Sequence, residues 1–366
     1  MQLPEIKRYI YRIIPFGLIW LIFGIVCSLL VWGILGLVTH SSRGNPSDFG
    51  GVVFIAAVIS LVSGLLIGAM EVLYLSKLFR QKSFRVKIIY KPIIYQVVIN
   101  LFLLMGAAIN ISIDLKTDVF SKQVWDRVWT YFLSYAFLGS TLYMVLVIIV
   151  SLFYAEVSDN LGPGVLANFF TGKYHTPIEE ERIYMFLDMK SSTTIAENLG
   201  HVRYFELLRE YYADISGSII RYSGEIYQYV GDEVVVSWTL KKGLKNNNCI
   251  HCFFDMKEAL EKQARKYKDR FGVLPGFKGG FHLGKVTTGE IGVIKKDIMF
   301  TGDVLNTTAR IQGLCNTYNV DILISVDLRK MLSSDKQWQI KSMGENELRG
   351  RDEKIDLFTI LRHKNG

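Results

Sequence analysis

The sequence predicts two unlike halves: a bundle of four membrane-spanning helices, followed by a water-facing α/β domain. Three observations predict this. Four apolar segments, near 13–38, 51–75, 93–113 and 130–154, each exceed the roughly 20 residues that cross a bilayer. Charge divides at the same place. Residues 1–155 hold 13 Lys+Arg against 6 Asp+Glu, a balance of +7, and residues 156–366 hold the remaining 29 and 28, a balance of +1. Beyond about residue 182, β-rich runs alternate with amphipathic helical stretches. The basic excess thus belongs to the membrane half and is not a nucleic-acid footprint. The expected boundaries are 1–154 for the membrane domain, 155–181 for a linker and 182–366 for the second domain.

The first apolar segment follows Lys7, Arg8 and Arg12. It is too long for a signal-peptide core and has no small-residue cleavage site after a short core, so it reads as a span. The first connection, Thr39–Phe49, is short and polar, with Asn45-Pro46 as a turn signal. The second carries Lys77, Arg80, Lys82, Arg85, Lys87 and Lys91 with no acid between them. Basic loops stay in the cytoplasm, so the N-terminus, this loop and everything after residue 155 are expected inside an inner (plasma) membrane. The third connection, Asp114–Trp129, mixes signs. Within the spans, Glu71, Asn100 and Asn110 are the polar residues of interest, and Glu71 is close enough to the interface to reach water. Gly64 with Gly68, and Ala136 with Ser140, have the spacing of close helix packing. The linker contains Gly162-Pro163-Gly164 and a short helical piece, Val165–Phe170.

The second domain opens on Ile183-Tyr-Met-Phe-Leu-Asp188-Met-Lys-Ser-Ser-Thr-Thr194. An apolar run ending in an aspartate and small hydroxyl residues suits a buried strand that delivers a carboxylate to a helix start. Free N–H groups there hold phosphate, and the carboxylate holds a divalent metal. An amphipathic helix is expected over Thr194–Tyr222. Two β-rich runs then flank Gly231-Asp232, a hairpin with a second carboxylate at its tip. A turn Asp is common without function, and its companions give it weight. A helix follows over about Asn248–Phe271. Cys249-Ile-His251-Cys252 looks like half a zinc site, but no second pair accompanies it, and the four cysteines make no disulfide framework. The strand near 277–292 carries closely spaced glycines, a sign of close backbone packing or a bulge. Asn306 and Arg310 are four apart and share one helix face, where an amide and a guanidinium suit a negatively charged reacting group. A final strand, Ile355–Leu361, closes the domain.

Four motifs in this order carry a family resemblance: Phe-Leu-Asp188-Met-Lys-Ser-Ser-Thr, Tyr-Val-Gly231-Asp232-Glu, Gly280-Phe-His282-Leu-Gly284 and Gly302-Asp-Val-Leu-Asn306-Thr-Thr-Ala-Arg310-Ile. Residues of about 182–361 resemble the catalytic domain of class III nucleotidyl cyclases. The resemblance implies a ferredoxin-like α/β domain active as a homodimer, and ATP converted to cyclic AMP and pyrophosphate with Mg²⁺ or Mn²⁺, two per site. It assigns metal binding to Asp188, Asp232 and the backbone carbonyl of Met189. Charge stabilisation goes to Arg310, ribose orientation to Asn306, and phosphate contacts to Lys190, Ser191, Ser192, Thr193 and either Arg349 or Arg351. Each dimer site takes the aspartates from one protomer and Asn306 with Arg310 from the other. The base pocket departs from the family. Gln228 stands where adenylate-forming members carry Lys, and Met299 where they carry Asp or Thr; guanylate-forming members carry Glu and Cys. Gln pairs well with adenine, so ATP is the expected substrate, with GTP or a relaxed choice as the alternative. Asp297 supplies an acceptor if a bulge shifts its strand. A catalytically silent relay is a further alternative, but such a domain would have lost an Asp or the Asn/Arg pair. A transporter with a regulatory tail finds few polar residues in the spans to support it.

Overall fold

The computed structural model describes residues 3–38, 46–79, 82–161, 171–294, 297–348 and 354–362. Apart from its first five residues, the chain divides into two compact units, Ile6–Ala167 and Asn168–Gly366. The helical piece expected at Val165–Phe170 lies outside the described residues, as do Arg349 and Arg351.

The first unit holds four helices long and apolar enough to cross a membrane: Tyr9–Val31, Phe49–Leu78, Phe84–Leu115 and Tyr135–Asn160. Large apolar side chains such as Ile59, Leu66, Leu101 and Phe102 are exposed on them, as lipid-facing positions are. Phe16, Trp20, Ile67, Tyr95 and Ile148 pack between the helices. Gly64 and Gly68 lie at this contact. A Cβ at Gly64 would come within 2.6 Å of Trp20 Cβ, and one at Gly68 within 2.9 Å of Phe16 Cβ. Small residues are what let these helices approach. Ala136 and Ser140, with the same spacing, are exposed. The third span starts nine residues before its apolar run, because Phe84–Ile93 continues the helix through Pro92. The third connection is partly helical too. Lys122–Phe132 tucks Val124 and Val128, one turn apart, against Ala108. Glu71 is buried rather than exposed at the interface, paired with the Lys91 ammonium and with the Tyr95 hydroxyl at 2.8 Å.

The second unit is built on β1 (Ile178–Met189), β2 (Glu225–Val230), β3 (Glu233–Thr239), β4 (Phe277–Ile291), β5 (Asp297–Thr301), β6 (Ile322–Ser325), β7 (Trp338–Asn346) and β8 (Ile355–Arg362). Their order is β2-β3-β1-β4-β6-β8-β7, with β5 paired to β4. The first four strands run 4-1-3-2, all antiparallel, with helices after β1 and after β3; this is the ferredoxin-like arrangement. Alternation along β1 divides its side chains between two faces. Ile183, Met185 and Leu187 enter the main core beneath the helices His201–Arg221 and Asn248–Lys262, each contributing ~1.5–3 kcal/mol of burial. Tyr184 and Phe186 face the other way, with Val235, Val286 and Val304, toward the helix Asp303–Thr317.

Two expected helices are broken. The first divides at Gly200, whose φ of +73° ends Ser192–Leu199 and starts His201–Arg221. The second divides at Gln263, between Asn248–Lys262 and Ala264–Phe271. The β4 glycines serve close packing. A Cβ at Gly280 would stand 2.3 Å from the Gln312 backbone nitrogen, so the Asp303–Thr317 helix rests directly on the strand.

Candidate active site

Asp188 is the penultimate residue of β1, opposite Lys278 of β4 and half-buried. The neighbouring strand β3 is reached from β2 by a two-residue turn, Gly231-Asp232, between paired Val230 and Glu233. Gly231 has φ +62° and Asp232 keeps a negative φ, the signature of a hairpin turn that takes glycine first. The hairpin is anchored by Tyr212, whose hydroxyl donates to Gly231 O at 2.6 Å and whose ring packs on Tyr229 at 4.5 Å. Since Leu187 pairs with Val234, the turn stands beside the end of β1. The Asp188 and Asp232 carboxyl groups therefore meet within hydrogen-bond reach.

The pair is electrostatically loaded. Burial and then the Asp232 charge push the Asp188 carboxyl up to about 6, against a downward pull from Gln312 and Lys278. Glu233 is also raised, first by burial and then by Asp188 and Asp232. Asp232 Oδ2 is enclosed without a hydrogen-bond partner. Two repelling carboxylates with an unbonded oxygen are a donor set for a hard divalent cation such as Mg²⁺ or Mn²⁺. No group of three or more His, Cys, Asp or Glu able to hold a metal occurs among the described residues. Backbone carbonyl, water and phosphate oxygens would complete such a site. Met189, the carbonyl candidate, ends β1 opposite Phe277.

Beyond Met189 the chain turns into the Ser192–Leu199 helix. Ser191, at φ +55°, starts that helix without a side-chain cap bond. The first-turn N–H groups at Ser192 and Thr193 thus open beside the carboxylates, a favourable place for an anion. The Ser192 side chain bonds Tyr204. Lys190 is placed differently. Its N–H donates to Gly276 O at 2.9 Å, and its ammonium pairs with Asp321, which also accepts from Lys257 at 2.6 Å. These two bonds outweigh burial and hold the Asp321 carboxyl below its usual range.

Asn306 and Arg310 stand on the Asp303–Thr317 helix, Asn306 exposed and Arg310 partly buried. Arg310 Nη1 is enclosed without a partner. Gln312, two residues further on, faces the sheet and bonds Asp188. Two residues turn a helix by about 200°, so Arg310 looks away from the carboxylates that Gln312 touches. The structure brings Asp188 and Asp232 together but does not bring Arg310 of the same chain to them.

The base-pocket candidates lie elsewhere on the sheet. Gln228 is exposed on β2 and Met299 on β5, with three strands between them in the pairing order. The sheet curls enough for Tyr227 and Phe300, their immediate neighbours, to meet edge-to-face at 4.9 Å. β5 runs in unbroken register from Asp297 to Thr301, so the bulge considered for Asp297 is absent. The register shift is in β2 instead, between Ile226 and Gln228. Asp297 stays two residues from Met299 and on its side of the strand. Cys249 and Cys252 are buried in the core, and His251 contacts Asp335 at 3.1 Å.

Sequence reasoning missed Lys278, Gln312 and Asp321. Lys278 becomes visible once β4 is set antiparallel to β1. Gln312 and Asp321 leave no local signal, because their partners at the site, Asp188 and Lys190, are more than 100 residues away.

The family described as the adenylate and guanylate cyclase catalytic domain matches residues 176–361. Adenylate cyclase 2 of Rhizobium meliloti (strain 1021) is 36% identical over 209 residues, which are 57% of this chain and 58% of that protein. Adenylate cyclase of Anabaena cylindrica is 26% identical over 187 residues, 48% of this chain and 36% of that one. The chain therefore spans less than two thirds of the length of these relatives. A solved bacterial light-regulated adenylyl cyclase superposes with a TM-score of 0.51 at 20% identity, over 59% of this chain and 62% of that one, a likeness of fold.

Proposed function

From the premise that this chain belongs to the adenylate and guanylate cyclase catalytic-domain family, we propose that it is a membrane-anchored adenylate cyclase working as a homodimer. The observation that carries this reading is the Asp188–Asp232 pair, set at a strand end beside an uncapped helix start.

Asp188, Asp232 and the Met189 carbonyl would hold one or two divalent cations. When bound there, these supply positive charge against the triphosphate and acidify the ribose 3′-hydroxyl. The N–H groups of Ser191, Ser192 and Thr193 take phosphate oxygens. Lys190 serves as the loop's anchor, since both its ammonium and its N–H are already engaged. In the reaction the 3′-oxygen forms its bond to the α-phosphorus as the bond to the pyrophosphate oxygen breaks. Charge gathers on the phosphoryl oxygens, and positioning with electrostatics dominates such transfers. Arg310 stabilises that charge, Asn306 orients the ribose, and Arg349 or Arg351 contributes a further cation to the triphosphate.

Because Arg310 faces away from its own carboxylates, a second copy supplies it. An isologous pair then has two equivalent sites. Exposed Val202 and Phe205 on the His201–Arg221 helix, with Tyr229 and Val230 on β2, offer apolar surface beside the Asp232 turn for that copy. Gln228 reads adenine through paired donor and acceptor contacts, in keeping with the names of the relatives above. The basic segment between the second and third spans supports a cytoplasmic N-terminus and catalytic unit, since basic loops stay inside.

The test uses membranes carrying the full chain, with ATP and GTP side by side. Cyclic AMP is the expected product. Asp188→Ala and Arg310→Ala should each abolish it, and co-assembly of the two variants should restore one working site in each mixed dimer. Absence of recovery would sink the shared site. No product from either nucleotide, in folded and paired protein, would sink the cyclase reading.

A further inference from the structure

The catalytic reading leaves unused a cavity of about 230 Å³ at one end of the helical bundle. It lies where the second span ends, the third begins and the fourth ends. Three ion pairs line it and join all four spans. Arg12 meets Asp159 at 2.6 Å, Lys87 meets Glu156 at 2.6 Å, and Lys91 meets Glu71. Glu71 and Lys91 are each only 4% exposed.

Stability does not account for the buried Lys91–Glu71 pair in this lining. A buried ion pair contributes little net stability compared with apolar side chains of similar size. Phe16, Trp20, Ile67 and Ile148 already supply apolar contact between the spans. Charged groups within spans mark sites by default. Glu71 also begins a π-helical turn, Glu71–Leu75, a local distortion concentrated at functional positions.

The lining selects its ligand. Three cations and three anions balance, so a ligand with net charge would leave one lining charge unmatched. A group bearing both an ammonium and an anion can exchange with an existing pair, its N–H donors going to a carboxylate and its anion to Arg12 or Lys87. The depth is also marked. Tyr11, Tyr74 and Tyr90 are exposed at the same end of the bundle, where aromatic belts sit among lipid headgroups.

We propose that this cavity binds a phosphoethanolamine group, and that its entry exchanges the Arg12–Asp159 and Lys87–Glu156 pairs and so sets the cyclase rate. Asp159 and Glu156 lie in the last turns of Tyr135–Leu161, the last span before the catalytic unit in chain order. Releasing their partners changes what that helix is tied to.

The full chain is placed in nanodiscs of phosphatidylcholine with increasing phosphatidylethanolamine, and bound lipid is counted by native mass spectrometry. A second arm adds soluble glycerophosphoethanolamine, a phosphodiester whose single negative charge balances its ammonium, to phosphatidylcholine discs, which separates a lipid source from a free one. Saturable retention of phosphatidylethanolamine over phosphatidylcholine is expected, about one per protomer, with a change in cyclase rate at the same lipid fraction. Choline, lacking N–H donors, should not substitute. The double variant Lys87→Met with Glu156→Gln removes a pair without stranding a charge. It should weaken retention about tenfold or more and uncouple the rate from the lipid. Equal retention of both lipids with no effect of the soluble probe, or an unchanged preference in the double variant, would overturn the site. Retention without any rate response would overturn its regulatory role. Lipid counting needs no nucleotide turnover, so its result stands apart from that of the cyclase assay.

Discussion

Replacing Asp188 by Asn should make the catalytic unit more stable while abolishing its activity. In the wild type, burial and Asp232 raise the Asp188 carboxyl from its ordinary value of 3.8 to about 6. The native state thus holds this proton more tightly than the unfolded chain does. Stability that is fully present below 3.8 is lost as pH rises through about 6, and above that the ionised pair carries its whole penalty. The full displacement corresponds to about 3 kcal/mol. Asp188 is only half-buried, and solvent screening reduces the expected gain to about 1–2 kcal/mol. Pulse hydrogen exchange along a urea titration of the whole chain, read on β1 amides, measures it. At about pH 8 without divalent cation, the Asp188→Asn variant should be the more stable; at about pH 4 the two should converge. Mn²⁺ at about pH 8 should stabilise the wild type and leave the variant unchanged, since ligands that bind only the native state shift its unfolding. A variant equal to or less stable than the wild type at high pH would refute the reasoning, as would a difference that does not shrink on acidification.

Gly280→Ala places a Cβ 2.3 Å from the Gln312 backbone nitrogen, where neither strand nor helix can yield cheaply. A loss of about 1–3 kcal/mol or more in urea unfolding is expected, with reduced activity as Gln312 is displaced from Asp188. Gln228→Glu should lower kcat/KM for ATP relative to GTP by about tenfold or more, measured with both nucleotides. Equal changes for the two would remove Gln228 from base selection.

Much of the plan was legible because it is written locally. Span length follows from unbroken apolar runs, and Asp188 at a strand end follows from five apolar residues meeting small hydroxyl residues. Gly231-Asp232 reads as a hairpin tip because a two-residue turn needs a glycine-compatible φ. Asn306 and Arg310 share a helix face by counting alone. Elsewhere local reading misled. Thr194–Tyr222 kept helical periodicity across Gly200, whose positive φ breaks it. Glu71 looked close enough to water, and only the third span's return showed Lys91 and Tyr95 closing over it.

The sequence by itself determined the two halves, the strands and the turn that carry Asp188 and Asp232, and which residues carry acid, amide and guanidinium, whereas β6 and β7 drew no reading from it. The tertiary structure decided which of them meet. It set Asp232 against Asp188, gave Asp188 to Gln312, drew Lys190 to Asp321 and kept Arg310 of the same chain apart from the carboxyl pair. The reason is one of range. Periodicity and turn chemistry act over a few residues, whereas strand register and helix packing join residues more than 100 positions apart, and the energies of those contacts exist only after the chain has closed on itself.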